Sequence, residues 1–389
     1  MYFLGSMLRT LLLFITFLSL VLKTSGLTQV GNGDLVLVSD LDISYDSNVL
    51  IRQSDELDDI VGTLYAGLMF VQRERSVLNA SLEIGSNITR MADLSELNSE
   101  DWRSSFEISY PNNIDSRSYY SLSGGYNETT QANADVGRRI KNVVSDLEGS
   151  LRRSLSEKLS VNGSVGYSDQ QFENIVAEGI PGIRDRSSED FDFSIGSAYN
   201  YSERLSGTLS YSYQTIEYDG GTFPGQSSDV LAVGLSGQLS PRLSGSVSGG
   251  IRKQDISSPF FEDYSSTDPY YSIDLTWAAR ERTSVSVSGA TTTRASANGE
   301  ISDSKDFQVS VNERLSERSG ILASVSISED DYTGLTNRSD ESLRLSVSYT
   351  LTVGRDAGFR AGISYEDRTS NSNFGYQRYI ADLGFSKSW

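Results

Sequence analysis

The segment Leu343 to Val353, LRLSVSYTLTV, alternates apolar and polar residues without a break. Leu343, Leu345, Val347, Tyr349, Leu351 and Val353 form one set, and Arg344, Ser346, Ser348, Thr350 and Thr352 the other. A period of two marks a β-strand whose two faces meet different surroundings. The pattern recurs in TSVSVSGA (283–290), ILASVSIS (321–328) and LSGTLSYSY (205–213), and no segment after residue 30 sustains a 3.6-residue period. The chain is therefore all-β along nearly its whole length.

Short polar turns interrupt the alternation at regular intervals. They begin at Gln72, Pro111, Ser156, Ser202, Ser240, Ala279, Ser316 and Val353, a step of roughly 40 residues. One step holds two strands of about 11 to 14 residues, one short turn and one longer connection. A propeller blade of that length needs four short strands, and no glycine-aspartate nonapeptide marks a β-helix. The longer connections are rich in Asp, Glu, Asn, Ser and Gly: 50–59, 87–101, 131–142, 171–190, 218–228, 257–268, 296–304, 334–339 and 371–375. Eight turns and nine longer connections predict eighteen strands, with sixteen to eighteen as the range.

What covers the apolar set decides the fold. Strands in a soluble sandwich usually run 5 to 6 residues, and a tilted strand crosses a bilayer in about 9 to 11. In hydrocarbon every backbone donor must pair, so the sheet has to close. The polar partners are small here, mainly Ser, Gly, Thr and Asn, which leaves room for water inside. Aromatic residues fall near strand ends, as at membrane interfaces: Tyr45, Tyr110, Tyr167, Tyr199, Tyr201, Tyr211, Trp277, Tyr349 and Tyr365. A mean hydropathy of -0.32 fits strands that are wet on one side. The predicted fold class is an all-β, transmembrane, antiparallel up-and-down β-barrel.

Residues 1–26 are different in character. Arg9 precedes the apolar run TLLLFITFLSLVL, and Thr24, Ser25 and Gly26 follow. This reads as a cleaved secretory signal peptide, too short for a membrane helix, and residues 27–389 form the barrel. An even strand count then puts both termini in the periplasm of a bacterial outer membrane and the acidic loops outside.

The formal net charge is -19, which opposes nucleic-acid binding. The chain has no histidine and no cysteine. A Ser-His triad, a His-based zinc site and a thiolate metal site are excluded. No catalytic, metal-binding or cofactor-binding motif is present, so an enzyme is the least favoured class.

The alternation assigns lumen-facing charges: Asp40, Asp42, Asp46, Glu83, Glu107, Asp146, Glu148, Asp192, Asp274, Glu366 and Asp382, with Arg152, Arg252, Arg344, Arg360 and Arg378. Mixed carboxylates and guanidinium groups suit sugar hydroxyls, a transverse field for small ions, or simple solvation of the wall. Ile180 to Ile183 in the longest connection reads either as an inward constriction or as an ordinary external loop. The expected lumen is wet, polar and of fixed width, and residues 26–34 are too few for a plug.

The chain ends in YIADLGFSKSW. Tyr379, Ala381, Leu383, Phe385 and Trp389 share one phase. This resembles the C-terminal signal of bacterial outer-membrane barrels that the barrel-assembly machinery reads, with Lys387 as a departure from that pattern. The start of the barrel, LDISYDSNVLIRQSDELDDIVGTLYAGLMFVQRERSVLNASLEI, resembles the beta-barrel porin 2 family in its aspartate-rich first strand, YDSNV box and LYAGLMF strand. The resemblance extends loosely over the whole chain. It implies export of an exopolysaccharide across the outer membrane, with a periplasmic polysaccharide export protein and an inner-membrane co-polymerase as partners beside outer-membrane lipid. A general diffusion or sugar-uptake porin and a loop-presenting adhesin remain as alternatives.

Overall fold

The structure is a computed structural model that describes residues 28–72, 77–111, 113, 116–134, 138–172, 187–219, 223–259, 262–296, 300–333, 338–354 and 356–388. The expected signal peptide, Trp389 and residues 180–183 lie outside the described residues.

A short strand, β1 (Thr28–Val30), pairs with the base of β2 (Gly33–Asp46). The chain continues through β3 (Asp59–Gln72), β4 (Asn79–Met91), β5 (Ser99–Tyr110), β6 (Ser118–Asn133), β7 (Arg138–Ser154), β8 (Leu159–Phe172) and β9 (Ser188–Asn200). It goes on through β10 (Leu205–Tyr218), β11 (Gly225–Ser240), β12 (Leu243–Ser257), β13 (Tyr264–Ala278) and β14 (Thr283–Ala295). Then follow β15 (Ile301–Arg314), β16 (Ser319–Thr333), β17 (Ser339–Val353), β18 (Ala357–Ser370) and β19 (Tyr376–Ser388). From β2 onward each strand pairs antiparallel with its successor, and β19 pairs back onto β2 with Leu383 opposite Ile43. Eighteen strands close one ring, joined at one end by short turns and at the other by longer connections.

The ring strands run from 12 to 17 residues, longer than expected. The alternation continues into segments rich in Asp and Asn that read as loop in the sequence. β6 and β7 extend to Asn133 and from Arg138, and β15 begins at Ile301. The outer face explains the extra length. Tyr211, Phe191 and Tyr379 mark one level, and beyond it the same face carries Lys305 with Glu329 and Asp331, and Lys253 with Asp255. Those charged ends rise past the hydrocarbon.

Between the aromatic levels the outer face is apolar and open. Ile363 and Val233 are each 63% exposed, and Leu209, Leu231, Ile195, Leu82 and Leu383 are exposed on the same face. Burying such a side chain is worth about 1.5–3 kcal/mol, which acyl chains supply here. At the short-turn end Tyr110, Tyr199, Tyr201 and Trp277 form the second aromatic level.

The turns follow from local chemistry. At Ser156 and Ser202 the hydroxyl accepts the N–H groups two and three residues on, for example Leu159 N and Leu205 N, both at 3.1 Å. A serine at that position closes a tight polar turn at the chain reversal. On the inner face, serines bond across strands: Ser121 with Ser150 at 2.6 Å, Ser164 with Ser194 at 2.7 Å, and Ser324 with Ser346 at 2.7 Å. They satisfy one another without filling the lumen.

Candidate functional site

Cross-strand partners share a face of a sheet. Tracing the register round the ring therefore assigns every residue to the inner or outer side. The sixteen charged positions named from the alternation fall on one side, the one carrying the serine pairs. Their surroundings then divide them.

On the β2–β5 and β17–β19 wall, charges are paired. Arg360 Nη2 donates to Asp42 Oδ2 at 2.6 Å, and its Nε lies 3.3 Å from Asp382. Arg344 meets Glu366 at 2.8 Å, and Tyr376 donates its hydroxyl to the same carboxylate at 2.6 Å. Arg378 Nε donates to Asp46 at 2.9 Å across the closing seam of β19 and β2. Glu83 accepts from Arg103 at 2.8 Å and from the Tyr65 hydroxyl, while the Arg103 guanidinium lies 3.6 Å above the Tyr65 ring. The ring lies flat over Gly67 and Gly85, where a Cβ would strike it. Asp40 is exposed beside this group.

The adjoining wall, from β5 to β9, is different. Glu107, Glu148 and Asp192 sit on one continuous ladder row: Glu107 opposite Ser123, Ser123 opposite Glu148, Glu148 opposite Gly166, and Gly166 opposite Asp192. Asp146 and Asp190 occupy the next row. Neighbouring strands are about 4.8 Å apart, so the row carries a carboxylate roughly every 10 Å. Among the described residues none of Glu107, Glu148, Asp146 and Asp192 has a cationic partner, and Arg152 and Asp274 are likewise unpaired and exposed. Unpaired acids on a wet wall give the lumen a negative potential on this side. The same described residues contain no group of acids able to hold a metal ion. A recess of about 690 Å³ opens between β13 and β19, lined by Asp274, Arg294, Asp306, Gln308, Arg344 and Glu366.

The inner side chains are not equally open along the barrel. Toward the short turns, inner residues such as Asp40, Glu107, Arg152 and Arg360 are exposed. Toward the longer connections they are buried: Asp46, Asp101, Ile140, Ile216, Tyr218, Gln254, Arg252 and Asp340. Arg252, named as a lumen-lining charge, is only 7% exposed, and Asp46 only 4%. The ends of neighbouring strands cover both, so neither reaches open water. At the same level Arg338 is fully buried, stacked between the rings of Tyr332 and Phe374 and bonded to Asp340 at 2.5 Å.

Several inner residues escaped the sequence reading. Tyr65 is aromatic and so suggests the lipid side, although its phase, shared with Asp40, places it inside. Arg103 has the phase of Glu107 and was there to be read. Asp190 and Arg294 lie in or beside segments whose composition reads as loop, as does Arg139, whose phase is outward. Of the C-terminal residues, Tyr379, Leu383 and Phe385 lie on the outer face of β19 opposite Tyr365, Ala361 and Phe359.

A family model described as "Putative beta-barrel porin 2" matches residues 38–386. No curated protein matches the sequence. Among solved structures, Pseudomonas aeruginosa OccK1 (OpdK) is similar at 11% identity and a TM-score of 0.50, over 91% of this chain and 99% of that one. P. aeruginosa OpdQ is similar at 11% identity and a TM-score of 0.49, over 92% and 98%. The FrpB iron transporter from Neisseria meningitidis is similar at 10% identity and a TM-score of 0.45, and this chain spans 62% of its length. The OccK1 likeness concerns the fold alone.

Proposed function

The chain belongs to the family described as putative beta-barrel porin 2, and from that premise we propose that this outer-membrane, porin-like barrel is a passive conduit for exopolysaccharide export. The observation that carries the channel part is a closed barrel whose inner face is built of Ser, Gly and charged side chains. Such a face holds water, and paired arginines and carboxylates offer hydrogen bonds to hydroxyl-rich polymers without trapping them. The export direction and the polymer come from the family resemblance. The partners follow in the same way: a periplasmic polysaccharide export protein and an inner-membrane co-polymerase, delivering polymer at the short-turn end. That end then faces the periplasm. No catalytic step is required of the barrel.

Deleting the gene is expected to abolish surface polymer while lipid-linked repeat units continue to form. Unchanged surface polymer would refute export.

A second reading, a diffusion or uptake pore for small sugars and ions, is favoured by one observation. The inner residues at the long-loop end are buried, whereas a polymer needs an open bore. Liposome swelling separates the two readings. Rapid swelling with mono- and disaccharides supports the small-solute pore.

A further inference from the structure

The pleat fixes which way a side chain points, and two hairpins break the rule that outward residues meet lipid or solvent. On β14 and β15, Thr293 and Asp303 are an outward-phase pair. Yet Thr293 Oγ1 accepts from Arg252 Nη1 at 2.9 Å and from Gln254 Nε2 at 3.2 Å, and Asp303 Oδ1 accepts from Gln254 Nε2 at 2.7 Å. Arg252 and Gln254 are inner-face residues of β12. Likewise Tyr218, an inner-face residue of β10, accepts from Ser296 N and donates to Glu300 O, each at 2.9 Å. Its ring packs in one cluster with Phe223 and Ile301. An outward face can touch an inward face only if the end of β14–β15 lies inside the ring. The seam agrees. β13 and β14 pair only from Ala278↔Ser284 to Ser272↔Ala290, the shortest register between ring strands, and they separate above it.

The hairpin β6–β7 does the same. Thr130 has the outward phase, yet its hydroxyl donates to Asp101 Oδ1, an inner-face acceptor on β5, at 2.6 Å. Arg139, also of outward phase, has Asp101, Asp46 and Arg378 as its charged neighbours. The β5–β6 register stops at Arg103↔Asn127. In a ring of eighteen, β6 and β14 stand eight positions apart, so the two tucked ends approach from nearly opposite sides.

The chemistry holding them is polar and incompletely satisfied. Both amide atoms of Gln226, Nε of Arg252, Oγ1 of Thr291 and Nε of Arg139 are buried without a hydrogen-bond partner. A buried donor or acceptor left unpaired is penalised by about 1–3 kcal/mol, and water relieves that penalty on separation. The contact is therefore easier to part than an apolar one of equal size.

We propose that the described inward-folded strand ends, residues 130–133 with 138–140 on β6 and β7 and residues 293–296 with 300–303 at β14 and β15, are a two-sided gate that narrows the lumen at the long-loop end and parts to widen it. This rests on the channel reading above. The absence of native cysteine allows a direct test. Gln254→Cys with Thr293→Cys, and separately Asp101→Cys with Thr130→Cys, are bridged by a short bifunctional thiol reagent with a cleavable disulfide. The barrels are then placed in planar bilayers. The bridged barrels are expected to conduct several-fold less than after reduction, and to exclude polyethylene glycols that pass once reduced. Equal conductance and equal size cut-off in the two states, with bridging verified on a gel, would overturn the gate and leave the channel reading standing. No current in either state would overturn both. A second set without cysteine, Gln254→Ala and Asp303→Asn, weakens the latch. Larger conductance than the parent supports the gate, and unchanged conductance contradicts it.

Discussion

Gly384 lacks a side chain where two others need the space. Arg360 on β18 and Asp42 on β2 share a ladder row with it and meet above it. A bridging pair across an intervening strand requires a small residue there, and a Cβ would already lie 3.3 Å from the Asp42 carboxylate. Gly384→Val is expected to destabilise the barrel by about 1–3 kcal/mol through overpacking, read as a lower urea midpoint in lipid vesicles. Asp46→Ala should be worse. It strips the largely buried Arg378 of the carboxylate bonded to it across the closing seam and leaves it beside Glu366 of β18, which Arg344 and Tyr376 already engage, and breaking a buried pair costs about 3–5 kcal/mol. Loss of the heat-resistant band on unboiled gels at lower temperature would report it, and an unchanged transition would show that the seam does not depend on this pair. The unpaired acids act on ions instead of stability. Glu107→Gln, Glu148→Gln and Asp192→Asn together should reduce cation preference, seen as a smaller reversal potential in a salt gradient. An unshifted potential would mean that the row lies outside the permeation path.

At the level of the strand, alternation carries nearly all the information. β18 shows it directly. Ile363 is exposed on the outer face, and its neighbour Ser364 lies on the inner face opposite Ser346. Ile363→Arg should cost about 2–4 kcal/mol in a bilayer, whereas Ser364→Arg should leave the unfolding midpoint nearly unchanged. Equal effects would deny that lipid touches one face only. The same alternation made the inner position of Arg344 and Glu366 readable from sequence, because phase alone decides it. What alternation does not carry is height and bend. Arg252 has the inner phase and is nonetheless covered, since the bend in β14–β15 is set by side chains far away in sequence, such as Tyr218 and Gln254. The strands also run further than their composition suggests. Asp, Asn and Glu suggest loop, although above the aromatic level they are ordinary strand residues in water.

Taken whole, the molecule is a ring of hairpins that meets three media: hydrocarbon around its waist, water inside, and polar contacts between its own strands at one end. The count of eighteen strands was legible because the short polar turns recur at a nearly constant step. The pairing of arginines with particular carboxylates was not legible. It depends on register across the closing seam, where Asp42 and Arg360 are 318 residues apart. Everything proposed about transport presumes that hydrocarbon covers the outer phase and water the inner one. The most direct test places single cysteines along β18 from Phe359 to Asp367 in the reconstituted barrel, attaches a nitroxide to each, and measures collision with oxygen and with a water-soluble nickel chelate. The account predicts two period-two profiles in opposite phase, with oxygen highest at Phe359, Ala361, Ile363 and Tyr365 and nickel highest at Arg360, Gly362, Ser364 and Glu366. Profiles in the same phase, or nickel reaching Ile363 as readily as Ser364, would contradict it.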